Sequence, residues 1–149
     1  MVYRYGMEAL SLDRQLCFAL YSASRAMTAA YRPILTEFNL TYPQYLVLLV
    51  LWEEESVTVR RLGERLQLDS GTLSPLLKRL EANGFVRRER SSEDERHVVV
   101  TLTAAGRKLE LKAQCIPEKL GAQTGITEQQ AADLRDAIRQ LTDALSAAQ

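Results

Sequence analysis

Asp69-Ser70-Gly71-Thr72-Leu73-Ser74-Pro75-Leu76-Leu77-Lys78-Arg79-Leu80-Glu81, closed by Asn83-Gly84, is the stretch from which the fold of this chain can be read. Asp69 or Ser70 can satisfy the free amides of a first helical turn, Leu73, Leu76, Leu77 and Leu80 recur at helical spacing, and Asn83-Gly84 is a stop signal. Pro75 falls in the first turn or just past it, where a missing amide costs little. About 14 residues at 1.5 Å rise predict a helix of roughly 20 Å, a length suited to a major groove. Ser70, Gly71, Thr72 and Ser74 are small enough to bring its N-terminus, with free amides and a positive dipole end, close to a phosphate or base edge. Lys78 and Arg79 extend along the nucleic-acid strands.

The flanking residues make this helix the second of a pair. Upstream, Thr58 can cap a short helix in which Val59, Leu62 and Leu66 form one buried stripe, leaving Arg60, Arg61, Glu64 and Arg65 for solvent or phosphate. After Gly84 the period changes from 3.6 to 2. Residues 85–90 and 96–102 are β-branched or charge-alternating runs separated by Ser91-Ser92-Glu93-Asp94-Glu95, which predicts a hairpin with an exposed tip. Arg90 and Arg96 flank that tip, where an arginine can enter a narrow minor groove. Asp94 would be repelled by DNA, so its expected role is to pair with Arg96 and hold the guanidinium in one orientation. Helix, turn, helix and hairpin in this order predict a winged helix-turn-helix; for any single arginine the bland alternative is a solvated charge kept for solubility.

Composition bounds this reading. The chain has 149 residues, 46% hydrophobic and 26% charged, enough for one domain with a real core. No run of eighteen apolar residues exists, and Met1-Val2-Tyr3-Arg4-Tyr5-Gly6 lacks the apolar core of a signal peptide, so a cytoplasmic location without membrane contact is expected. A formal net charge of zero argues against a general polyanion binder. Residues 60–97, with nine basic and seven acidic side chains, carry a modest net +2. Such a balance favours a chosen DNA site over arbitrary sequence.

Outside the hairpin the chain reads as helical. Residues from about 12 to 38 carry Leu16, Leu20, Ala23, Met27, Ile34 and Phe38 on one side, with Pro33 expected to bend or end the segment. Tyr42-Pro43 starts a nearly all-apolar helix through Trp52, expected at the centre of the lobe. Past the hairpin, Thr103 caps a helix expected to be interrupted by Pro117, Gly121 and Gly125. Thr127 and Gln130 form a capping-box signature for a last helix bearing Leu134, Ile138, Leu141 and Leu145. That stripe needs a partner, either the chain's own N-terminal helix or a second subunit. The expected fold is therefore mainly α (α+β): a single domain over 1–149, a winged helix-turn-helix lobe over 43–102, and candidate dimerisation helices over 8–38 and 103–147.

Catalysis finds little material. His97 is the one histidine, and Cys17 and Cys115 are too far apart in sequence for the usual zinc-ligand spacing. No Gly-rich phosphate loop is present. No cofactor is expected, and an enzyme is not the favoured reading. Cys17 is the residue that separates a sensor from a plain regulator. All six tyrosines, Tyr3, Tyr5, Tyr21, Tyr31, Tyr42 and Tyr45, share the first 45 residues with it, and phenols donate hydrogen bonds to a thiolate, the form that attacks a peroxide. Cys17 is expected in the second turn of its helix, where dipole assistance fades. From the residues alone, an inert buried thiol stays open as the alternative.

The stretch from Asp69 to Glu81, with Gly84-Phe85-Val86, Asp94-Glu95-Arg96 and Leu102-Thr103-Ala104-Ala105-Gly106, resembles the MarR family of bacterial dimeric repressors over nearly the whole chain. The resemblance implies a homodimer, joined through its terminal helices, that presents two winged-helix lobes to a palindromic double-stranded operator. Leu16-Cys17-Phe18-Ala19-Leu20-Tyr21-Ser22-Ala23, Tyr31-Arg32-Pro33 and Leu40-Thr41-Tyr42-Pro43-Gln44-Tyr45 are similar to the organic hydroperoxide resistance (OhrR) branch of that family. That similarity implies a peroxide-reactive Cys17 whose thiolate is held by Tyr31 and Tyr42 of the other subunit. Organic hydroperoxide is then the signal, and a second thiol completes the oxidation. Cys115 reads either as that resolving thiol or as a structural one, with a low-molecular-weight thiol as substitute; in the two-cysteine pattern the resolving residue falls nearer Ala122. Two other readings stay open: a repressor released by a small phenolic ligand, with Cys17 structural, and a thiol-dependent peroxidase using Arg14 or Arg25.

Overall fold

A computed structural model describes residues 7–149, so Tyr3 and Tyr5 lie outside the described residues. Two 3-10 turns, Met7–Leu10 and Leu12–Arg14, precede helices α1 (Leu16–Thr36) and α2 (Tyr42–Glu54). Strand β1 (Ser56–Thr58), the helix pair α3 (Val59–Leu66) and α4 (Ser70–Ala82), and strands β2 (Val86–Arg90) and β3 (Val98–Leu102) follow. Helices α5 (Ala104–Ala113), α6 (Ile116–Thr124) and α7 (Glu128–Ala147) close the chain. The observed class is the expected one, mainly α with a small antiparallel sheet and a winged helix-turn-helix.

Local chemistry sets the helix starts. The Thr58 side chain accepts from the Arg61 amide, Asp69 from Thr72 and Thr103 from Gly106, and Thr127 and Gln130 close a reciprocal capping box. Thr41 and Gln44 form a second such box at α2, and Gln44 is buried there with its amide oxygen bonded to the Thr41 N–H. Each cap is worth about 1 kcal/mol. Burial supplies the larger part. Leu73, Leu77 and Leu80 of α4 meet Val47, Leu48 and Leu51 of α2, Leu62 of α3 and Val100 of β3 in one core. At roughly 1.5–3 kcal/mol per buried side chain, that core holds the helix pair against the central α2.

The sheet order is β1-β3-β2, antiparallel throughout, with Val57 opposite Val100 and Val86 opposite Leu102. β1 is absent from the sequence reading because three residues are too few to show a period of two. Arg96 and His97 lie in the tip instead of strand β3, where His97 donates its amide to the Asp94 carbonyl.

Two expectations at the breakers are corrected, the end at Pro33 and the break at Gly121. Helix α1 passes through Pro33 and runs to Thr36, because the adjoining Ile34 and Leu35 are anchored in the core and hold the last turn in place. Gly121 lies inside α6. The break comes earlier, at Gln114-Cys115, and Pro117 sits in the first turn of α6, where its missing amide is harmless. Gly125, at φ +68°, does end that helix. The first half of α1 and all of α7 stand away from this core. Leu16, Phe18, Tyr21 and Met27 are exposed, as are Leu134, Ile138 and Leu145, and α7 buries no residue.

Candidate nucleic-acid interface and redox site

Burying Leu73, Leu77 and Leu80 turns the opposite face of α4 outward, so Ser70, Gly71, Thr72, Ser74, Lys78 and Arg79 are all exposed on it. A cleft of about 330 Å³ separates this face from the hairpin, and Ser70 and Ser74 on one wall face Arg88, Arg96 and His97 on the other. Fold and burial thus bring the small residues of the helix start and the wing arginine to one surface.

Ion pairs sort the arginines. Arg60 pairs with Glu64, Arg61 with Glu54, Arg65 with Glu53 and Glu54, and Arg87 with Glu89. Lys78 and Arg79 have no ion-pair partner among the described residues. The Arg96 Nε donates to Asp94 Oδ1 at 3.2 Å, and the Arg96 amide donates to the same oxygen at 3.0 Å, so the expected Asp94–Arg96 pair is present. The amide bond from Arg96, followed by its guanidinium, holds the Asp94 carboxyl below its usual range, with His97 Nδ1 a further 3.6 Å neighbour. Arg90 donates through Nη1 to the Glu95 carbonyl at 3.0 Å, which ties the two sides of the tip together.

Glu81 is a positioning residue that sequence reasoning missed. Its carboxylate accepts the Arg88 guanidinium at 3.1 Å and the Arg88 amide at 3.0 Å, bracing the end of α4 against β2. The two residues sit on different elements, so no periodic pattern signals the contact. The Arg88 side-chain bond, ahead of the amide, pulls the Glu81 carboxyl below its ordinary range.

Cys17 is the second residue of α1 and is exposed. This corrects the expected second-turn position: Gln15, with extended backbone at φ −85° and ψ 114°, starts the helix afresh after the Leu12–Arg14 turn. The sulfur therefore lies in the first turn, where backbone amides lack helical acceptors and the dipole is positive. Tyr31 and Tyr42 are brought together, their ring centroids 4.8 Å apart, with Tyr45 5.8 Å from Tyr31. Burial first, then Tyr42 and Tyr45, pushes the Tyr31 phenol up to about 12, and burial also raises Tyr42 and Tyr45. All three remain protonated donors at neutral pH.

Cys17 does not meet the Tyr31/Tyr42 pair within one chain. Tyr31 follows Cys17 by 14 residues on the same helix, about 21 Å at 1.5 Å per residue. Cys115 is half-buried between α5 and α6, its thiol donating to the Lys112 carbonyl at 3.3 Å. Nearby Lys119 pairs with Glu37, just past the far end of α1, at 3.2 Å. A Cys17–Cys115 disulfide, which needs Cα atoms within about 7 Å, cannot close inside this chain. Among the described residues, no group of three metal-ligating side chains forms and no helix is long and apolar enough to cross a membrane.

A family model described as transcriptional regulator SarA/Rot matches residues 29–113. The chain is 52% identical over 126 residues to the organic hydroperoxide resistance transcriptional regulator of Bacillus subtilis, covering 85% of this chain and 84% of that relative. The chain belongs to the MarR-type family of transcriptional regulators. This MarR-type regulator is also 55% identical over 137 residues to the HTH-type transcriptional regulator TtmR of Methylorubrum extorquens, 92% of its own length and 70% of that protein's. Among solved structures, reduced AbfR bound to DNA matches at a TM-score of 0.76 and 37% identity, over 93% of this chain and 97% of that one; AbfR is from Staphylococcus epidermidis. The MarR-type regulator is accordingly a DNA-binding transcriptional regulator.

Proposed function

We propose that this protein is a redox-sensing repressor that binds a palindromic operator as a homodimer and is released when an organic hydroperoxide oxidises Cys17. The observation that carries this reading is the separation of the sulfur from the phenols. Cys17 stands exposed at one end of α1, and the Tyr31/Tyr42 donor pair is assembled near the other. Two antiparallel copies of α1 bring each sulfur to the other's phenols, and the uncovered apolar residues of α1 and α7 supply the interface. Relatives named as an organic hydroperoxide resistance regulator and as a reduced regulator on DNA support the same assignment.

The chemistry is stoichiometric. Neutral Tyr31 and Tyr42 hydroxyls of a second copy, together with the first-turn amides of α1, face the Cys17 thiolate. The thiolate attacks the terminal peroxide oxygen; an S–O bond forms, the O–O bond breaks, and the alkoxide leaves and takes up a proton as the alcohol. Sulfur is thereby oxidised by two electrons to sulfenic acid. Condensation with a thiol then gives a disulfide and water. Either change replaces the anionic acceptor of both phenols by a bulkier group, the tyrosine pair moves, and the two α4 helices no longer match half-sites one helical turn apart. On the DNA side, Ser70, Gly71, Thr72 and Ser74 approach base edges and phosphates in the major groove. Lys78 and Arg79 meet the backbone, and Arg90 and Arg96, the latter steadied by Asp94, enter the minor groove.

A Cys17→Ser protein is expected to bind operator DNA and to stay bound on treatment with cumene hydroperoxide; release at the wild-type rate rejects the mechanism. The second thiol is either Cys115 of another copy or a low-molecular-weight thiol. On non-reducing electrophoresis of oxidised protein, a covalent dimer abolished by Cys115→Ser assigns the first route, and a monomer carrying the mass of the small thiol assigns the second.

A further inference from the structure

We propose that Trp52 is the positioning residue that couples the Tyr31/Tyr42/Tyr45 cluster to the junction of α4 and the wing; this deepens the redox reading above and rests on it. Tyr42, Tyr45 and Trp52 fall on one face of α2, at steps of three and seven. The Tyr45 ring lies between the cluster and the tryptophan, 5.8 Å from Tyr31 and 6.2 Å from Trp52, which it meets edge-on at 66°. Trp52 then reaches out of α2. Its indole N–H donates to the carbonyl of Gly106, in the first turn of α5, at 3.0 Å.

That turn grips the root of the wing. A side chain at position 106 has no room, since a Cβ would lie 2.2 Å from the Phe85 carbonyl oxygen and 2.9 Å from Leu102 Cδ2. Thr103 donates its amide to the Phe85 carbonyl at 3.1 Å and its hydroxyl to the Gly84 carbonyl at 2.5 Å, while its hydroxyl oxygen accepts from the Gly106 amide at 3.1 Å. Gly84 and Phe85 in turn close α4, donating to the carbonyls of Glu81 and Leu80, and lead directly into β2. One indole therefore spans from the phenol cluster to the segment where both DNA-reading elements meet. Among the side chains, only tryptophan combines a ring large enough to pack on Tyr45 with an N–H donor at its far edge. Packed elements of this kind move as units, so displacement of the tyrosines is passed through Trp52 to the Gly106 turn and on to the α4–β2 corner.

The test is Trp52→Phe, which keeps a packing ring and deletes the donor. The fold retains an independent tie between α2 and β3, the Leu102 amide bonded to the Glu55 carbonyl at 3.2 Å. Operator affinity is measured for reduced and cumene-hydroperoxide-treated protein by anisotropy of a labelled duplex, alongside sulfenate labelling of Cys17. The expected result is wild-type oxidation of Cys17, reduced-state affinity within about twofold of wild type, and a ratio between the two states that contracts by about fivefold, the worth of one hydrogen bond. An unchanged ratio, with both affinities lowered together, means a merely structural role and overturns the coupling. A wild-type protein that shows no change in affinity on oxidation overturns the redox reading itself, and the coupling with it. Trp52 is also the one tryptophan of the chain, so the unsubstituted protein carries its own probe. Its emission is expected to change on oxidation of wild type, not of Cys17→Ser, and on operator binding. Constant emission through both steps overturns the proposal whether or not the variant folds.

Discussion

Tyr31 shows how burial fixes a side chain's chemistry before any reagent arrives. Its phenol moves from 10.0 to about 12 because the ionised form is poorly solvated among Tyr42 and Tyr45. The folded state therefore holds a proton that the unfolded state releases. That contribution to stability is complete below pH 10 and is lost as pH rises from 10 to about 12. Urea denaturation across this window is expected to show a falling midpoint that Tyr31→Phe flattens; an equally steep fall in the variant would place the titration elsewhere. In the proposed DNA complex, Lys78, without an ion-pair partner among the described residues, and the Asp94-tethered Arg96 have different tasks. Lys78→Ala is expected to weaken all duplexes alike and to lower the salt slope by about one unit, whereas Arg96→Ala blunts A·T preference beside the half-site. Equal losses on every sequence for both variants would contradict that division. Lys78 and Arg96 were legible in the sequence because exposure follows from helical and hairpin periodicity. Glu81 was not, because it acts on a strand beyond the turn.

At the scale of elements, α4 stands on one polar cap and three leucines. Asp69→Ala removes the acceptor of the Thr72 amide, a bond of 2.7 Å, and is expected to cost about 1 kcal/mol in chemical denaturation. Gly106→Ala is the more severe change, because the added methyl collides with a backbone oxygen that cannot swing aside. A loss of roughly 2–3 kcal/mol is expected, as for an overpacked core; wild-type stability in that variant would mean the α5 turn is looser than described. The exposed ion pairs on α3 count for little beside these, about 0–1 kcal/mol each. Helix α1 teaches the opposite lesson about breakers. Pro33 is a stop signal by local rules, and the buried Ile34 and Leu35 override it.

The described residues form one core and leave the apolar faces of α1 and α7 uncovered. Leu134, Ile138 and Leu145 on α7, and Leu16, Phe18 and Met27 on α1, are too many large apolar side chains for a surface left in water. If the proposed dimer forms through α7, a protein carrying both Leu134→Asp and Ile138→Asp is expected to sediment as a monomer with nearly full helicity and to lose operator affinity by orders of magnitude, since one lobe would read only half of the proposed palindrome. A dimer of unaltered affinity would move the interface away from α7. The same helices bear on the proposed redox mechanism, in which a sulfur about 21 Å along α1 from Tyr31 reaches Tyr31 and Tyr42 through a second copy.

The amino-acid sequence alone determined the caps of α3, α4, α5 and α7, the leucine stripe of α4, the hairpin and the surface positions of Ser70, Ser74, Lys78 and Arg96, because these depend on neighbours three or four residues away or on strand alternation. Tertiary structure decided the rest: that α1 survives Pro33, that Cys17 occupies a first turn, that Glu81 braces Arg88, and that Trp52 bridges to Gly106 across 54 residues. Those contacts join groups with no fixed spacing along the chain. Only the packing of helices and strands against the shared core brings them within bonding distance.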